Sequence, residues 1–247
     1  MNQAEPYYRR DLARVHHEGF SFHAAKVAPG VLALLAPVRE ADGLVVEFGC
    51  GSGLLTRELI AAGHRVIATD ASPAMVELAR EVAPGAVGYE VLALPDDPLP
   101  AADAIVGVGH PISYLPSLEA IRAAIRAMAE ALRPGGVLAF DVCDLAYGRR
   151  SVDGLTSRGW VGDDWGLITE FSVPSPDRFV REMTIFSRND DGTWRRDFER
   201  HDNVLLDVAT IPPLLAEHGV DAEIRDAFGS ETMPPGLKVI VGRKARS

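Results

Sequence analysis

The chain has 247 residues, 47% of them hydrophobic, 24% charged and 7% aromatic, which suits one globular domain or one domain with a modest insertion. This composition excludes collagen-like, low-complexity and wholly disordered chains, and no apolar run reaches the roughly 18 residues of a membrane-spanning helix. The net charge is −10, with 22 Arg against 3 Lys. That balance argues against nucleic acid, whose binding rests on basic contacts to phosphate, and against an anionic membrane surface. Met1 to Pro6 show neither the basic start nor the apolar stretch of a signal peptide. Two cysteines, Cys50 and Cys143, make neither a disulfide scaffold nor a four-ligand zinc site. A cytoplasmic protein with no metal is expected, either monomer or homodimer.

The predicted elements begin with one or two helices over residues 7–35, broken near Gly19 and Pro29 and rich in His and aromatic residues. Residues 44–48 form a short apolar run before a Gly-rich turn, as a buried parallel strand does. A helix over 54–62, stopped by Gly63, leads to a strand at 65–69. A second helix spans 73–82, with Ser72 as N-cap and Pro73 at the first helical position. Strands at 89–92 and 104–108 precede a helix over 117–132, whose apolar set (Leu118, Ile121, Ile125, Met128, Leu132) has helical spacing. Arg133-Pro134-Gly135-Gly136 ends that helix before a strand at 137–142. Such alternation implies an α/β fold with a parallel sheet and helices on both faces.

From about Ser151 the texture changes. Residues 167–173, 178–188 and 193–206 read as longer, antiparallel strands, with Asn189-Asp190-Asp191-Gly192 as a hairpin turn. All three Trp residues fall here. A helix at 211–218 and strands at 222–226 and 236–241 close the chain. One domain is expected: N-terminal helices over 1–40, an α/β core over 41–150 and 207–247, and an antiparallel hairpin insertion over 151–206.

The most informative segment is Glu47-Phe48-Gly49-Cys50-Gly51-Ser52-Gly53. Alternate glycines between strand and helix let backbone approach a ligand and aim free N–H groups at it. The dinucleotide pattern G-x-G-x-x-G fails here, since Leu54 or Thr56 stands where its third glycine would be. Asp70 ends the second strand, 21 residues after Gly49. A carboxylate there, beside the glycine loop, can accept hydrogen bonds from both hydroxyls of a ribose.

With Glu47-x-Gly49-x-Gly51-x-Gly53, His64 to Met75 and Arg133-Pro134-Gly135-Gly136, the sequence resembles the class I S-adenosylmethionine-dependent methyltransferases from about Leu44 to Asp141. The resemblance implies a Rossmann-like, seven-stranded, mostly parallel sheet whose last strand is antiparallel. It implies S-adenosylmethionine as cofactor, with S-adenosylhomocysteine as product. The implied cofactor contacts are Glu47, Gly49, Cys50, Gly51, Gly53, Asp70, Ala71, Leu92, Ala93 and Gly109. Many members carry an acid just after the third strand, near the adenine. Here that stretch is Val91-Leu92-Ala93-Leu94-Pro95, which leaves adenine to the backbone around Leu92 and Ala93, or to Asp96. The Asn/Asp-Pro-Pro-aromatic motif of nucleic-acid members is missing, and a small-molecule acceptor is expected.

The fourth strand ends in Gly107-Val108-Gly109-His110. Ligands bind beyond the carboxyl ends of such strands, so His110 is a candidate base or a residue that merely shapes the pocket. His201 is the second candidate base, placed by strand alternation on one face with Glu199 and Arg195. The stretch from Ala13 to Phe20 resembles the family's lid helix, with His16 and His17 at its Tyr-Asp positions, and the resemblance implies Tyr8, His16, His17, Phe20 and Tyr114 as lid and acceptor residues. Methyl transfer to O or N asks mainly for alignment and desolvation, with a base where the acceptor must lose a proton. The alternative is a protein of this fold that uses bound S-adenosylmethionine for cyclisation or as a structural group. A non-catalytic subunit is disfavoured by the intact Glu47, glycines and Asp70, and a nicotinamide oxidoreductase by the glycine spacing.

Overall fold

The computed structural model describes residues 7–20, 22–148 and 156–246. Helices α1 (Arg10–Gly19) and α2 (Phe22–Glu40) lead into β1 (Leu44–Phe48), α3 (Leu54–Ala61), β2 (Arg65–Asp70), α4 (Pro73–Val82), β3 (Gly88–Val91), β4 (Ala102–Gly107), α5 (Leu118–Ala131) and β5 (Leu132–Cys143). The strands β6 (Ser157–Val161), β7 (Trp165–Ser175), β8 (Arg178–Arg188) and β9 (Trp194–Val204) follow. Helix α6 (Ile211–Ala216), β10 (Val220–Arg225) and β11 (Leu237–Lys244) close the chain.

Seven strands form one sheet in the order β10-β11-β5-β4-β1-β2-β3. The strands β1 to β5 pair in parallel. The strand β11 runs antiparallel to β5, and β10 antiparallel to β11. Successive residues of the central strands serve opposite faces. Val45, Ala104 and Val239 join a core beneath α2 and α3, while Val46, Ile105 and Ile240 join one beneath α5 and α6. Both faces are dry, which is why these strands are continuously apolar rather than alternating.

The strands β6 to β9 form a separate antiparallel sheet in chain order. Its β8–β9 turn centres on Gly192, at φ +83°, whose N–H donates to the Asn189 carbonyl at 2.9 Å. Helix α1 packs on this second sheet, with Leu12 and Val15 against Trp165, Leu167, Met183 and Ile185. The expected start of the insertion at Ser151 lies outside the described residues, as do Met1 to Pro6.

The structure corrects three expectations. Pro29 does not break a helix, because α2 runs through it from Phe22 to Glu40. Pro29 faces outward while Val27, Ala28, Gly30, Val31, Leu35 and Val38 are buried, and that packing offsets the lost backbone bond. Strand β6 has no counterpart among the predicted strands. It is an outer strand with little buried surface, so it has no hydrophobic alternation to betray it. Strand β5 starts at Leu132 rather than Val137, crossing Gly135 at φ +79° with a register shift against β4. Helix α4 and its cap match expectation: Ser72 Oγ accepts from the Met75 N–H at 3.2 Å with Pro73 at the first helical position. No single helix among the described residues is long and apolar enough to cross a membrane.

Phe140 in β5 is fully buried and meets Phe48 at 6.1 Å between ring centroids. Phe140→Ala is expected to lower the unfolding free energy by about 3–5 kcal/mol. Urea denaturation should show a lower midpoint with an unchanged slope.

Candidate active site

The strand order places β2 on one side of β1 and β4 on the other, which opens a crevice beyond their carboxyl ends. The loops after β1 and β4 meet there. A Cβ on Gly49 would lie 2.4 Å from Pro111 Cβ. The three loop glycines all have φ between +54° and +80°, and two of them do distinct work. A Cβ on Gly51 would meet nothing within 4 Å, so the cavity floor there is bare backbone. A Cβ on Gly53 would lie 2.9 Å from Ala79 Cα, so this glycine lets α3 and α4 close up.

Asp70 stands at the end of β2 beside this floor. Its Oδ2 accepts from the Gly51 N–H at 2.9 Å and its Oδ1 from the Ser72 N–H at 2.8 Å. Desolvation raises its pKa, opposed by the amides of Ser72, Gly51 and Ala71. Each oxygen keeps lone-pair capacity for a further donor. Glu47 is buried and accepts from Thr56 Oγ1 at 2.6 Å. Desolvation lifts it to about 8, with Thr56 pulling it back.

The cavity measures about 470 Å³, within the range of ligand pockets. On the β4 side its wall begins with His110, a non-glycine residue at φ +51°. Fully buried Asp141 holds this loop, accepting from the His110 N–H at 2.7 Å and the Gly109 N–H at 3.2 Å. His23 Nε2 lies 3.3 Å from the same carboxylate. The His110 ring stacks on Tyr114 at 5.4 Å, and its Nδ1 is buried without a protein partner. Desolvation, then the positive charge of Arg181, lowers His110 to about 3, and the same two causes lower His16 to about 4. Both rings are neutral at pH 7.

The N-terminal segment before α1 straps across this wall. Glu199 of β9 accepts from the Tyr8 N–H at 2.8 Å and the Arg9 N–H at 2.7 Å. Ser72 Oγ donates to the Tyr8 carbonyl at 2.7 Å. Tyr8 and Tyr114 join their hydroxyls at 2.8 Å. Desolvation raises Glu199 to about 7, against the pull of the Arg9 and Tyr8 amides. Arg181 of β8 also faces the cavity, donating from Nη2 to the Tyr114 hydroxyl and to Asn203 Oδ1.

Of the sequence-derived candidates, Glu47, Gly49, Cys50, Gly51, Asp70, Ala71, Leu92, Gly109, His110, Tyr8, His16, Phe20 and Tyr114 line this one cavity. Gly53, Ala93, His17 and His201 do not. His17 turns to Ser52, Nδ1 to Oγ at 2.9 Å, and so braces the glycine loop instead of facing the cavity. His201 is fully buried behind Tyr7 and Tyr8, with Nε2 2.9 Å from Glu199. Desolvation and Arg181 lower it to about 2. It anchors the strap's acceptor and does not reach the cavity as a base would. The Leu92 and Ala93 amides expected to meet adenine are already engaged, by the Asp70 carbonyl and by Asp97 Oδ2, and Asp96 does not line the cavity. Leu92 and Leu94 themselves line the cavity. Tyr7, His23, Tyr147 and Arg181 also line the cavity; Tyr7 and His23 belong to the His- and aromatic-rich N-terminal stretch, while nothing local in the sequence marks Tyr147 and Arg181.

The comparisons agree with this geometry. Residues 45–136 match a family model described as a methyltransferase domain. A stretch of 38 residues is 47% identical to an uncharacterised methyltransferase of Schizosaccharomyces pombe. That stretch is 15% of this chain, and the chain spans only 15% of that relative's length. Among solved structures, an S-adenosylmethionine-dependent methyltransferase from Clostridium acetobutylicum superposes with TM-score 0.74 at 15% identity, over 94% of this chain and 97% of that one. A sugar N-methyltransferase from Streptoalloteichus gives 0.76 at 18% identity, over 100% and 98%. An amino pentose methyltransferase from Micromonospora echinaspora, solved with S-adenosylmethionine bound, gives 0.67 at 20%, over 98% and 100%. Residues 45–136 are similar to a methyltransferase domain, and the fold that carries them is shared with S-adenosylmethionine-dependent methyltransferases. The cofactor of that class is S-adenosylmethionine, and the residues present fit it: a floor of bare backbone at Gly51, a carboxylate with lone pairs to spare at Asp70, and apolar Met75, Leu92 and Leu94 around them.

Two outcomes follow. Glu47 has a folded-state pKa of about 8, above its unfolded value. Its contribution to stability is therefore full below about pH 4.5 and is lost as pH rises through about 8. Glu47→Gln is expected to flatten the stability profile between about pH 5 and 8 and to be more stable than wild type at pH 9, by roughly 2–4 kcal/mol, as thermal melts across pH would show. Glu199→Gln replaces one acceptor oxygen by a donor facing the Tyr8 and Arg9 amides. Hydrogen exchange over residues 7–12 should rise by about tenfold or more.

Proposed function

We propose that this chain transfers a methyl group from S-adenosylmethionine to an oxygen or nitrogen atom of a small-molecule acceptor, in the cytoplasm. One observation carries the reading. The floor of Gly51 and Asp70 and the wall of His110, Tyr114 and Arg181 belong to a single cavity, so cofactor and acceptor subsites adjoin without a domain movement. Two of the similar structures support a small acceptor, being a sugar N-methyltransferase and an amino pentose methyltransferase.

Bound S-adenosylmethionine supplies an electrophilic methyl group on a sulfonium. Asp70 would hold the ribose hydroxyls, with Gly51 backbone beneath the amino-acid portion. The strap of Tyr7 and Tyr8, with His16 from α1 and Phe20 just after it, lines the cavity and would shield bound cofactor from water, which strengthens alignment and desolvation as sources of rate. His110 is the proposed acceptor-facing group. Its buried Nδ1 has no protein partner, and a neutral imidazole can accept a hydrogen bond from a hydroxyl or amine as that group attacks. An imidazole that is neutral throughout the working range imposes no break near its ordinary pKa.

Calorimetry is expected to show S-adenosylhomocysteine binding with about micromolar affinity, lost by tenfold or more in Asp70→Ala. Methyl transfer must release S-adenosylhomocysteine when a panel of amines and alcohols is supplied. Consumption of S-adenosylmethionine without that product would assign a non-methylating reaction instead. His110→Ala should lower kcat by about 10–100-fold with cofactor affinity unchanged, and any break in the kcat profile between about pH 6 and 8 should stay where it is in wild type.

A further inference from the structure

Arg181 is a buried cation without a countercharge. It sits in the middle of β8 and lines the cavity opposite the glycine loop. Its hydrogen bonds go to two neutral oxygens, the Tyr114 hydroxyl and Asn203 Oδ1, both from Nη2. Its guanidinium carbon stands 5.5 Å from the centre of the Tyr114 ring. Nε is sealed from solvent with no partner. Among the described residues no carboxylate lies within ion-pair distance of the guanidinium. The acids that line the cavity are engaged elsewhere: Glu47 with Thr56, and Asp70 with Gly51 and Ser72. Asp141, behind the wall, is engaged with the Gly109 and His110 amides. The nearby imidazoles add no negative charge, and the phenols of Tyr8, Tyr114 and Tyr147 are held protonated or bonded to one another.

A desolvated guanidinium costs several kcal/mol unless paired, and its planar array of donors suits carboxylate or phosphate. We propose that Arg181 is an acceptor-recognition residue, and that the small molecule methylated here carries an anionic oxygen group, carboxylate or phosphate, which pairs with the guanidinium of Arg181. This rests on the methyltransferase reading above. It deepens that reading by naming a chemical class of acceptor: a compound with its nucleophilic O or N at one end and an anion at the other. The phenol rings of Tyr7, Tyr8, Tyr114 and Tyr147 would line the span between.

The test uses three fragments of one shape, benzoate, phenyl phosphate and the neutral benzamide, titrated by ligand-observed NMR into full-length protein with and without S-adenosylhomocysteine. Wild type is expected to bind at least one anion about tenfold or more tightly than benzamide, and the tighter of the two anions identifies the source of the charge. Arg181→Met should erase that preference while S-adenosylhomocysteine affinity stays within about twofold. Arg181→Gln, which keeps an amide donor towards Tyr114, gives the same readout should the Met variant fail to fold. Equal binding of anions and benzamide by wild type would overturn the proposal, as would a preference that survives both substitutions. A collapse of S-adenosylhomocysteine binding in the folded Arg181 variants would also overturn it, by assigning the guanidinium to the cofactor's carboxylate. Failure of wild type to bind S-adenosylhomocysteine at all would count against the methyltransferase reading instead, and the fragment series on the free protein would still decide the role of Arg181.

Discussion

Everything at this site depends on how closely the loops after β1 and β4 approach. They are neighbours only because the strand order reverses at β1, and they touch only because Gly49 has no side chain, a Cβ there falling 2.4 Å from Pro111 Cβ. Gly107, at the end of β4, has the same role, since a Cβ on it would fall 2.4 Å from the Phe48 ring. With the loops in contact, the glycine-loop floor and the His110 wall share one cavity. The β4 loop holds that shape under strain. His110 sits at φ +51°, a region that disfavours residues with a Cβ. The cost is offset by two amide bonds into buried Asp141 and by stacking on Tyr114.

The second sheet finishes what the parallel sheet leaves open. A parallel α/β sheet presents its crevice to solvent, and a sulfonium reaction profits from a dry one. Strands β8 and β9 supply Arg181 and Glu199, and Glu199 fastens the strap through the Tyr8 and Arg9 amides. The strap is also pinned to the core, because Ser72 Oγ donates to the Tyr8 carbonyl while accepting from the Met75 amide. One hydroxyl thus caps α4 and fixes the cover. Asp70 holds the Ser72 amide as well, so the carboxylate beside the glycine loop is two positions along the chain from the hydroxyl that ties down the strap.

The features of this site legible in the sequence are those whose chemistry is local. Glycines at alternate positions, an acid at a strand end and Ser-Pro before a helix each leave a mark within a few residues, and Gly51, Asp70 and Ser72 stand where such marks place them. Strand alternation likewise put His201 on a face with Glu199, and the two are bonded. Alternation could not say that this face turns into the wall behind Tyr7 and Tyr8 rather than into the cavity, since that depends on how one sheet docks on another. Arg181 and Tyr147 were invisible for the same reason. Each lies in an unremarkable run and gains its role only from elements far away in sequence. Pro29 misled in the opposite sense, because a strong local breaker was overruled by the buried face of its own helix.

The electrostatics of the cavity follow from burial and one buried charge. His16, His110 and His201 are all held neutral, first by desolvation and then by the field of Arg181. A neutral ring can accept a hydrogen bond where an imidazolium only donates. Neutral histidines also put no further positive charge near a cofactor that is itself a cation. The same field bears on any amine that enters, since a neighbouring guanidinium disfavours the ammonium form and leaves the nitrogen lone pair free to attack. An acceptor anion seated on Arg181 would weaken that field while it is bound. Desolvation, the larger cause at each of the three histidines, persists after pairing. The chain's overall charge of −10 therefore says little about its ligand. The surface is acidic, whereas the cavity wall is dominated by one cation that the protein leaves without a partner of opposite charge.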